Sequence, residues 1–162
     1  SGKTAVLFAA ACEVGGLVAE APEHKVTALR SFGHNLGMAF QLIDDVLDYA
    51  ANRQNWGKEI GDDFREGKMT LPVVLAVQQA KAKQNQDQLD FWQRTIGNLQ
   101  QRDGDLDLAM SMLNDGNYLR MARQKAEFFA SEAVAALTAF EPDHGTRRLL
   151  EDAVMASVNR QY

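Results

Sequence analysis

Proline is scarce in this chain, with three among 162 residues, and cysteine occurs once. A lone thiol cannot close an internal disulfide, so the fold must rest on its core, and a reducing cytoplasm suits it. That thiol, Cys12, lies among alanines with no histidine beside it in sequence, and reads as a small packed hydrophobe. An excess of positive charge is also missing: 17 lysines and arginines face 22 aspartates and glutamates, giving a net charge of −5. Such a balance offers no basic surface to nucleic acid or to an anionic membrane. No apolar run can span a bilayer, since the longest, Ala5 to Cys12, stops at Glu13. Strict two-residue alternation is rare as well, which leaves strands little support. What remains is a chain of one-domain size, 46% hydrophobic and 24% charged, that reads as all-α.

The start is abrupt. Ser1-Gly2-Lys3-Thr4 leads straight into an apolar helix from about Lys3 to Val18, weakened at Gly15-Gly16, and reads as a truncated opening. Gly2-Lys3-Thr4 is not a P-loop, because the first glycine and a preceding strand are absent. Pro22 then marks a helix start, and the pattern runs on to about Tyr49. Residues 51–68 turn polar, carry Gly57, Gly61 and Gly67, and lose helical periodicity; an irregular stretch of this length is usually functional. Thr70 followed by Leu71-Pro72 gives a cap residue and a proline in the first turn of a new helix. Further helices are predicted near 72–81, 88–99, 106–113, 117–140 and 146–160, broken at Asp103-Gly104, Asn114-Asp115-Gly116 and Pro142.

The chemistry concentrates on one helix. Leu36, Ala39, Phe40, Ile43 and Leu47 form one apolar stripe, and Leu42, Val46 and Tyr49 form a second flank. Between them lie Gln41, Asp44, Asp45 and Asp48, spaced i, i+3, i+4 and i+7. Three carboxylates so close repel one another, and aspartate is a poor residue for a helix interior. A solvated acidic edge is one reading. The other is a hard divalent cation: Mg²⁺ takes oxygen ligands, keeps waters, and uses one or two carboxylates plus substrate phosphates. The segment that follows favours the cation, since Lys58 and Lys68 bring point charges suited to phosphate oxygens into a glycine-rich loop. Gly33 and Gly37, four apart, suit close packing of a neighbouring helix; His34 reads as a packing residue beside them, and His24 and His144 as exposed.

Phe40-Gln41, the Asp-Asp-x-x-Asp of 44–48, Gly57-Lys58, Gly61-Asp62-Asp63 and Gly67-Lys68-x-Thr70-Leu71-Pro72 together resemble the second aspartate-rich region of trans-prenyl diphosphate synthases. Lys3-Thr4 resembles the Lys-Thr pair that precedes it in that family, and order and spacing match over about residues 1–77. The stretch from Phe91-Trp92-Gln93-Arg94-Thr95-Ile96 to Arg102-Asp103-Gly104-Asp105-Leu106 is similar to the long-chain members, the octaprenyl and decaprenyl synthases that make the ubiquinone side chain.

The resemblance implies an all-α bundle of the isoprenoid synthase type, with residues 1–162 as the C-terminal half of one synthase domain and 51–68 as its active-site loop. It implies loss of diphosphate from an allylic substrate, attack on the resulting cation by isopentenyl diphosphate, and proton removal. Asp44 would ligate Mg²⁺ directly, with Asp45 and Asp48 doing so directly or through water. Lys3, Lys58 and Lys68 would contact the diphosphate, and Thr4 and Gln41 would turn oxygens toward developing positive charge. Gln41 has an alternative reading as the side chain that orients Asp44 or Asp45. A cytoplasmic homodimer follows from the same resemblance, with no transmembrane segment and a peripheral membrane contact for product release.

The family's other aspartate-rich motif and the arginines that grip isopentenyl diphosphate lie upstream of the Lys-Thr pair, and this sequence contains neither. The chain alone is therefore expected to be inactive, with the uncovered apolar flanks of the 23–49 helix driving self-association. Two other functions compete: a non-catalytic helical subunit of a heteromeric synthase, and a class I terpene cyclase. The cyclase reading fails because Asp44, Val46 and Asp48 do not supply its Asn/Asp, Ser/Thr, Glu metal triad.

Overall fold

The computed structural model describes residues 2–50, 61–141 and 145–160, and among these every regular element is helical. In chain order the α-helices are α1 (Gly2–Val18), α2 (Glu23–Ala50), α3 (Asp62–Arg65), α4 (Leu71–Ala82), α5 (Gln86–Trp92), α6 (Asp105–Asp115), α7 (Tyr118–Ala136) and α8 (Gly145–Val158), with a π turn at Gln93–Gly97 and a 3₁₀ turn at Leu137–Ala139. The residues group into two compact units, 1–43 with 124–161, and 44–123. The all-α expectation holds, and the predicted helix boundaries fall within a few residues of those found, except at the end of the 88–99 helix.

In the first unit, α1 is unbroken through Gly15-Gly16. The chain turns at Glu20, with φ at +50°, and the Pro22 carbonyl accepts from the N–H groups of Lys25 and Val26 to open α2. Gly33 and Gly37 have the use expected of them. A side chain at Gly33 would run into the Phe8 carbonyl, and one at Gly37 would come 2.7 Å from Ala5 Cα. The two helices thus meet backbone to backbone, with Ala5 and Ala9 buried at the seam and the Phe8 and Phe40 rings stacked 6.2 Å apart. On α7, Ala126, Ala130 and Ala133 make a buried small-residue stripe, and Val154 and Val158 of α8 are buried with them. His34 is exposed, contrary to expectation: its neighbours Phe32 and Gly33 take the inward positions of that turn.

The apolar flanks of α2 are not uncovered. Ala39, Leu42, Ile43, Val46, Leu47 and Tyr49 are all buried, so self-association cannot be driven from there. A row of exposed large apolar side chains lies instead on α1, where Val6, Leu7, Val14, Leu17 and Val18 are each more than half exposed. That helix is apolar all round, so one face stays wet whichever way it turns. Among the described residues no helix is long and apolar enough to cross a membrane.

The second unit is built on a core of Val46, Tyr49, Phe64, Val73, Ala76, Phe91, Trp92, Ile96, Ala109, Leu113, Leu119 and Ala122. Phe91 and Trp92 meet edge to face at 5.1 Å, an arrangement favoured by the charge distribution of aromatic rings. Thr70 and Pro72 start α4 as expected, but the Thr70 hydroxyl bonds no helix amide and is buried instead. Asn85 caps α5 by accepting from the Gln88 N–H. The predicted helix to Leu99 stops sooner, because α5 passes into a π turn at Gln93–Gly97, closed by the Asn98 N–H on the Gln93 carbonyl at 2.8 Å.

Candidate functional site

The last turns of α2 carry the three aspartates. Chain described again from residue 61 returns directly onto them, the Gly61 N–H donating to the Asp48 carbonyl at 3.0 Å. Gly61 sits at φ +81°, a left-handed conformation open to glycine, and a Cβ there would come 2.5 Å from Leu106 Cδ1. The turn throws α3 across the end of α2, so that the expected irregular loop contains a one-turn helix. Of that loop, residues 51–60, including Lys58, lie outside the described residues.

Asp48 Oδ2 accepts the backbone N–H of Asp63 at 3.0 Å. The Asp63 carboxylate in turn accepts from Lys68 Nζ at 2.9 Å, and Asp45 Oδ1 lies 3.5 Å from the same nitrogen. Asp45 is buried, whereas Asp44 and Asp48 are half-buried. The structure thus joins Asp45, Asp63 and Lys68 in one ion-paired group, with Asp48 tied to it through a backbone amide. Asp63 stands in the sequence as part of the Gly61-Asp62-Asp63 run but without a role. The signal for it is the second acidic pair ahead of a lysine five residues on.

Charge is unevenly satisfied here. Burial pushes the Asp48 carboxyl up to about 6; the charges of Asp63 and Asp62 add to this, and the Asp63 N–H bond opposes it. Burial works to lower the Lys68 pKa, but its hydrogen bond to Asp63 and the charges of Asp45 and Asp63 outweigh that and leave it raised. Lys68 is a firmly held cation, and Asp48 is a carboxylate whose negative charge the surrounding protein opposes.

In the first unit, the Thr4 hydroxyl donates to Gln41 Oε1 at 3.1 Å. This pairs two predicted site residues across α1 and α2, a partnership that neither reading of Gln41 contains. Lys3 is exposed on the first turn of α1.

A bound divalent ion is testable against these donors. Among the described residues no three His, Cys, Asp or Glu side chains converge into a ready-made site. Among the described residues a cation here would meet at most two carboxylates at once, the number at which Mg²⁺ relies on waters and phosphate oxygens. The half-buried Asp48, destabilised as an anion, fits such a cation, and the described residues alone do not cage a metal.

The chain is all-α, and the aspartates near the end of α2 are backed by a lysine held between two carboxylates. The family model for polyprenyl synthetase matches residues 1–113, and the chain belongs to that family. It is 36% identical to an octaprenyl diphosphate synthase of Haemophilus influenzae over 160 residues, covering 99% of this chain and 47% of that protein. A decaprenyl diphosphate synthase from Rhodobacter capsulatus matches in structure with a TM-score of 0.84 at 42% identity, covering 99% of this chain and 47% of the other. A polyprenyl synthase from Caulobacter crescentus, complexed with calcium and isoprenyl diphosphate, matches at 0.86 and 41%, with the same coverage. This chain therefore spans about half the length of the relatives it matches.

Proposed function

We propose that this chain is the C-terminal half of a Mg²⁺-dependent trans-polyprenyl diphosphate synthase, which extends an allylic diphosphate with isopentenyl diphosphate units into a long all-trans chain. One observation carries the reading: the second unit assembles Asp48, Asp63, Lys68 and Asp45 into one charge network at the end of the aspartate helix. The octaprenyl and decaprenyl relatives support a long-chain product, of the kind used for the ubiquinone side chain. The calcium and isoprenyl diphosphate of the Caulobacter protein support a divalent cation and a diphosphate as ligands. A cytoplasmic homodimer, touching the membrane only to release product, completes the proposal.

Asp44 and Asp48, one helical turn apart, would hold Mg²⁺, with Asp45 contributing directly or through water. When bound, the ion supplies positive charge against the leaving diphosphate. Lys68 is kept charged and in place by Asp63 and Asp45, ready for a phosphate oxygen. Lys3 and Lys58 are assigned to the same diphosphate. Thr4 commits its proton to Gln41, which leaves the lone pairs of the Thr4 oxygen to stabilise developing positive charge on the allylic carbon.

The test is to incubate the full-length protein with farnesyl diphosphate, labelled isopentenyl diphosphate and Mg²⁺, and to measure product length. Chelator-sensitive elongation in five-carbon steps to a long-chain product is expected. A full-length protein that elongates nothing, alone or at saturating Mg²⁺, would instead make this chain a non-catalytic helical subunit.

A further inference from the structure

Residues 94–106 take no part in the chemistry above, yet three of their side chains land on the 61–68 segment. Leu106 packs where a side chain at Gly61 would stand, and Leu99 packs against Gly67 in the same way. Gln101 does most. Its Nε2 donates to the Phe64 carbonyl, 37 residues away in sequence, at 2.7 Å and to the Thr95 carbonyl at 3.0 Å, tying α3 to the π turn.

The platform behind these contacts is braced. Arg94 makes a two-pronged pair with Asp105 at 2.7 and 2.8 Å and also donates to the Gln100 carbonyl at 2.7 Å. Asp105 accepts the Arg102 N–H as well, at 2.7 Å. Leu99 is held in the left-handed region at φ +55°, a conformation a branched side chain keeps only where its surroundings fix it. By contrast α3 is four residues long and cannot hold itself, because a single helical turn gains too few bonds to offset its ordering. Its position must come from outside.

We propose that Gln101 is a positioning residue for the diphosphate site: by fixing the Phe64 carbonyl it sets α3, and so sets Asp63. Asp63 touches the site at two points, through its N–H on Asp48 and its carboxylate on Lys68. A shift of α3 would loosen both at once. This inference rests on the proposed role of Asp48 and Lys68 in holding Mg²⁺ and diphosphate. It gives the Arg94–Leu106 stretch a task that its position outside the aspartate motif does not suggest.

The test uses the full-length protein and four variants. Gln101→Met and Gln101→Glu keep length but remove the donor, Gln101→Lys restores a donor, and Leu99→Ser removes an exposed contact on Gly67 with little risk to folding. Gln101→Met and Gln101→Glu should raise half-saturating Mg²⁺ and the KM for farnesyl diphosphate about tenfold, the scale seen when groups that orient metal ligands are lost. Their kcat should stay within about threefold, marking weakened binding rather than lost transition-state contact. Gln101→Lys should recover most of the loss, Leu99→Ser should move the same constants the same way by less, and amide exchange over 61–68 should quicken in step. Variants that lose thermal stability while keeping wild-type constants for Mg²⁺ and substrate would overturn the proposal. So would a Leu99→Ser protein with unchanged constants if the Gln101 variants fail to fold. A wild-type protein with no Mg²⁺-dependent elongation sinks the functional reading itself, a result distinguishable from either.

Discussion

Asp105 and Asp48 belong to the same unit and are both withdrawn from solvent, yet the protein treats them in opposite ways. Asp105, in the first turn of α6, is held down to about 2, chiefly by its hydrogen bonds from Arg94, against the cost of burial. Asp48, near the end of α2, is driven up to about 6 by burial and by like-charged Asp63 and Asp62, with a backbone N–H as the compensation. The first carboxylate is completed by its own chain and does structural work. The second is held in a geometry that its own chain makes uncomfortable, and such strained carboxylates gather where a ligand is to bind. Residue type cannot separate them, since both are aspartates near a second acid; their partners in space do.

Removing carboxylates in turn is the strongest way to break this contrast. Asp44→Ala in the full-length protein should lower turnover on the order of 10³-fold or more, because charge stabilisation of the leaving group supplies several kcal/mol of the barrier. Asp48→Ala should cost less if it acts through water. Asp105→Asn should leave kcat within a few-fold while lowering Tm. Steady-state rates at saturating Mg²⁺ together with thermal melts decide this, and near-normal turnover of Asp44→Ala would remove the functional side of the contrast.

Next in size is the platform on which both aspartates stand. Trp92 is 2% exposed and lies in the core that joins Tyr49, next to Asp48, with Ile96 and Ala109. Trp92→Ala should cost about 3–5 kcal/mol of stability, measured by denaturant unfolding, from lost transfer energy and the cavity left behind.

Acid response should sharpen the contrast further, with opposite signs for the two groups. Asp48 has a folded pKa of about 6, above the unfolded value near 4, so its stabilising contribution is present below about pH 4 and lost as pH rises through about 6. Asp48→Asn should therefore stabilise the chain at pH 7 by no more than about 2 kcal/mol, allowing for solvent screening, and do little near pH 4. Asp105 has a depressed pKa, so its stability is present above about pH 4 and lost as pH falls through about 2. The Tm deficit of Asp105→Asn should accordingly be full at pH 7 and shrink toward pH 2.

The smallest effect concerns polar atoms of the core. Among the described residues, Tyr49 Oη, Thr70 Oγ1 and Trp92 Nε1 are buried without a well-formed hydrogen bond. Burial raises the Tyr49 pKa, and the nearby Thr70 hydroxyl opposes that rise only in part. Replacing Tyr49 by Phe removes a desolvated hydroxyl while keeping its packing, and should be neutral or stabilising by about 1 kcal/mol. A clear loss of stability on melting would show that the hydroxyl is satisfied after all, by Thr70 or by a bound water.

Much of this architecture is legible in the residues themselves. Apolar spacing locates α2, because on an amphipathic helix it reports directly which face is buried, whereas α1 is apolar all round and carries no such stripe. Gly33 and Gly37 announce the close crossing of α1 and α2, since four-residue spacing puts both on one face. The aspartate stripe and Lys68 are visible as residue types at a spacing. What sequence does not carry is partnership over distance: Thr4 with Gln41, Asp63 with Lys68 and Asp48, Gln101 with Phe64. Nor does it reveal α3, whose single turn is too short to leave a period, or the exposure of His34, which follows from how α2 is rotated rather than from its neighbours in sequence.

The most direct measurement compares the 162-residue chain with the full-length protein. Each is incubated with farnesyl diphosphate, labelled isopentenyl diphosphate and Mg²⁺, and labelled long-chain product is counted. If the chain is the C-terminal half as proposed, the facing aspartate motif and the isopentenyl diphosphate site lie outside it, so the full-length protein should elongate and the shorter chain should not. Efficient long-chain synthesis by the shorter chain, with no second polypeptide present, would contradict the account.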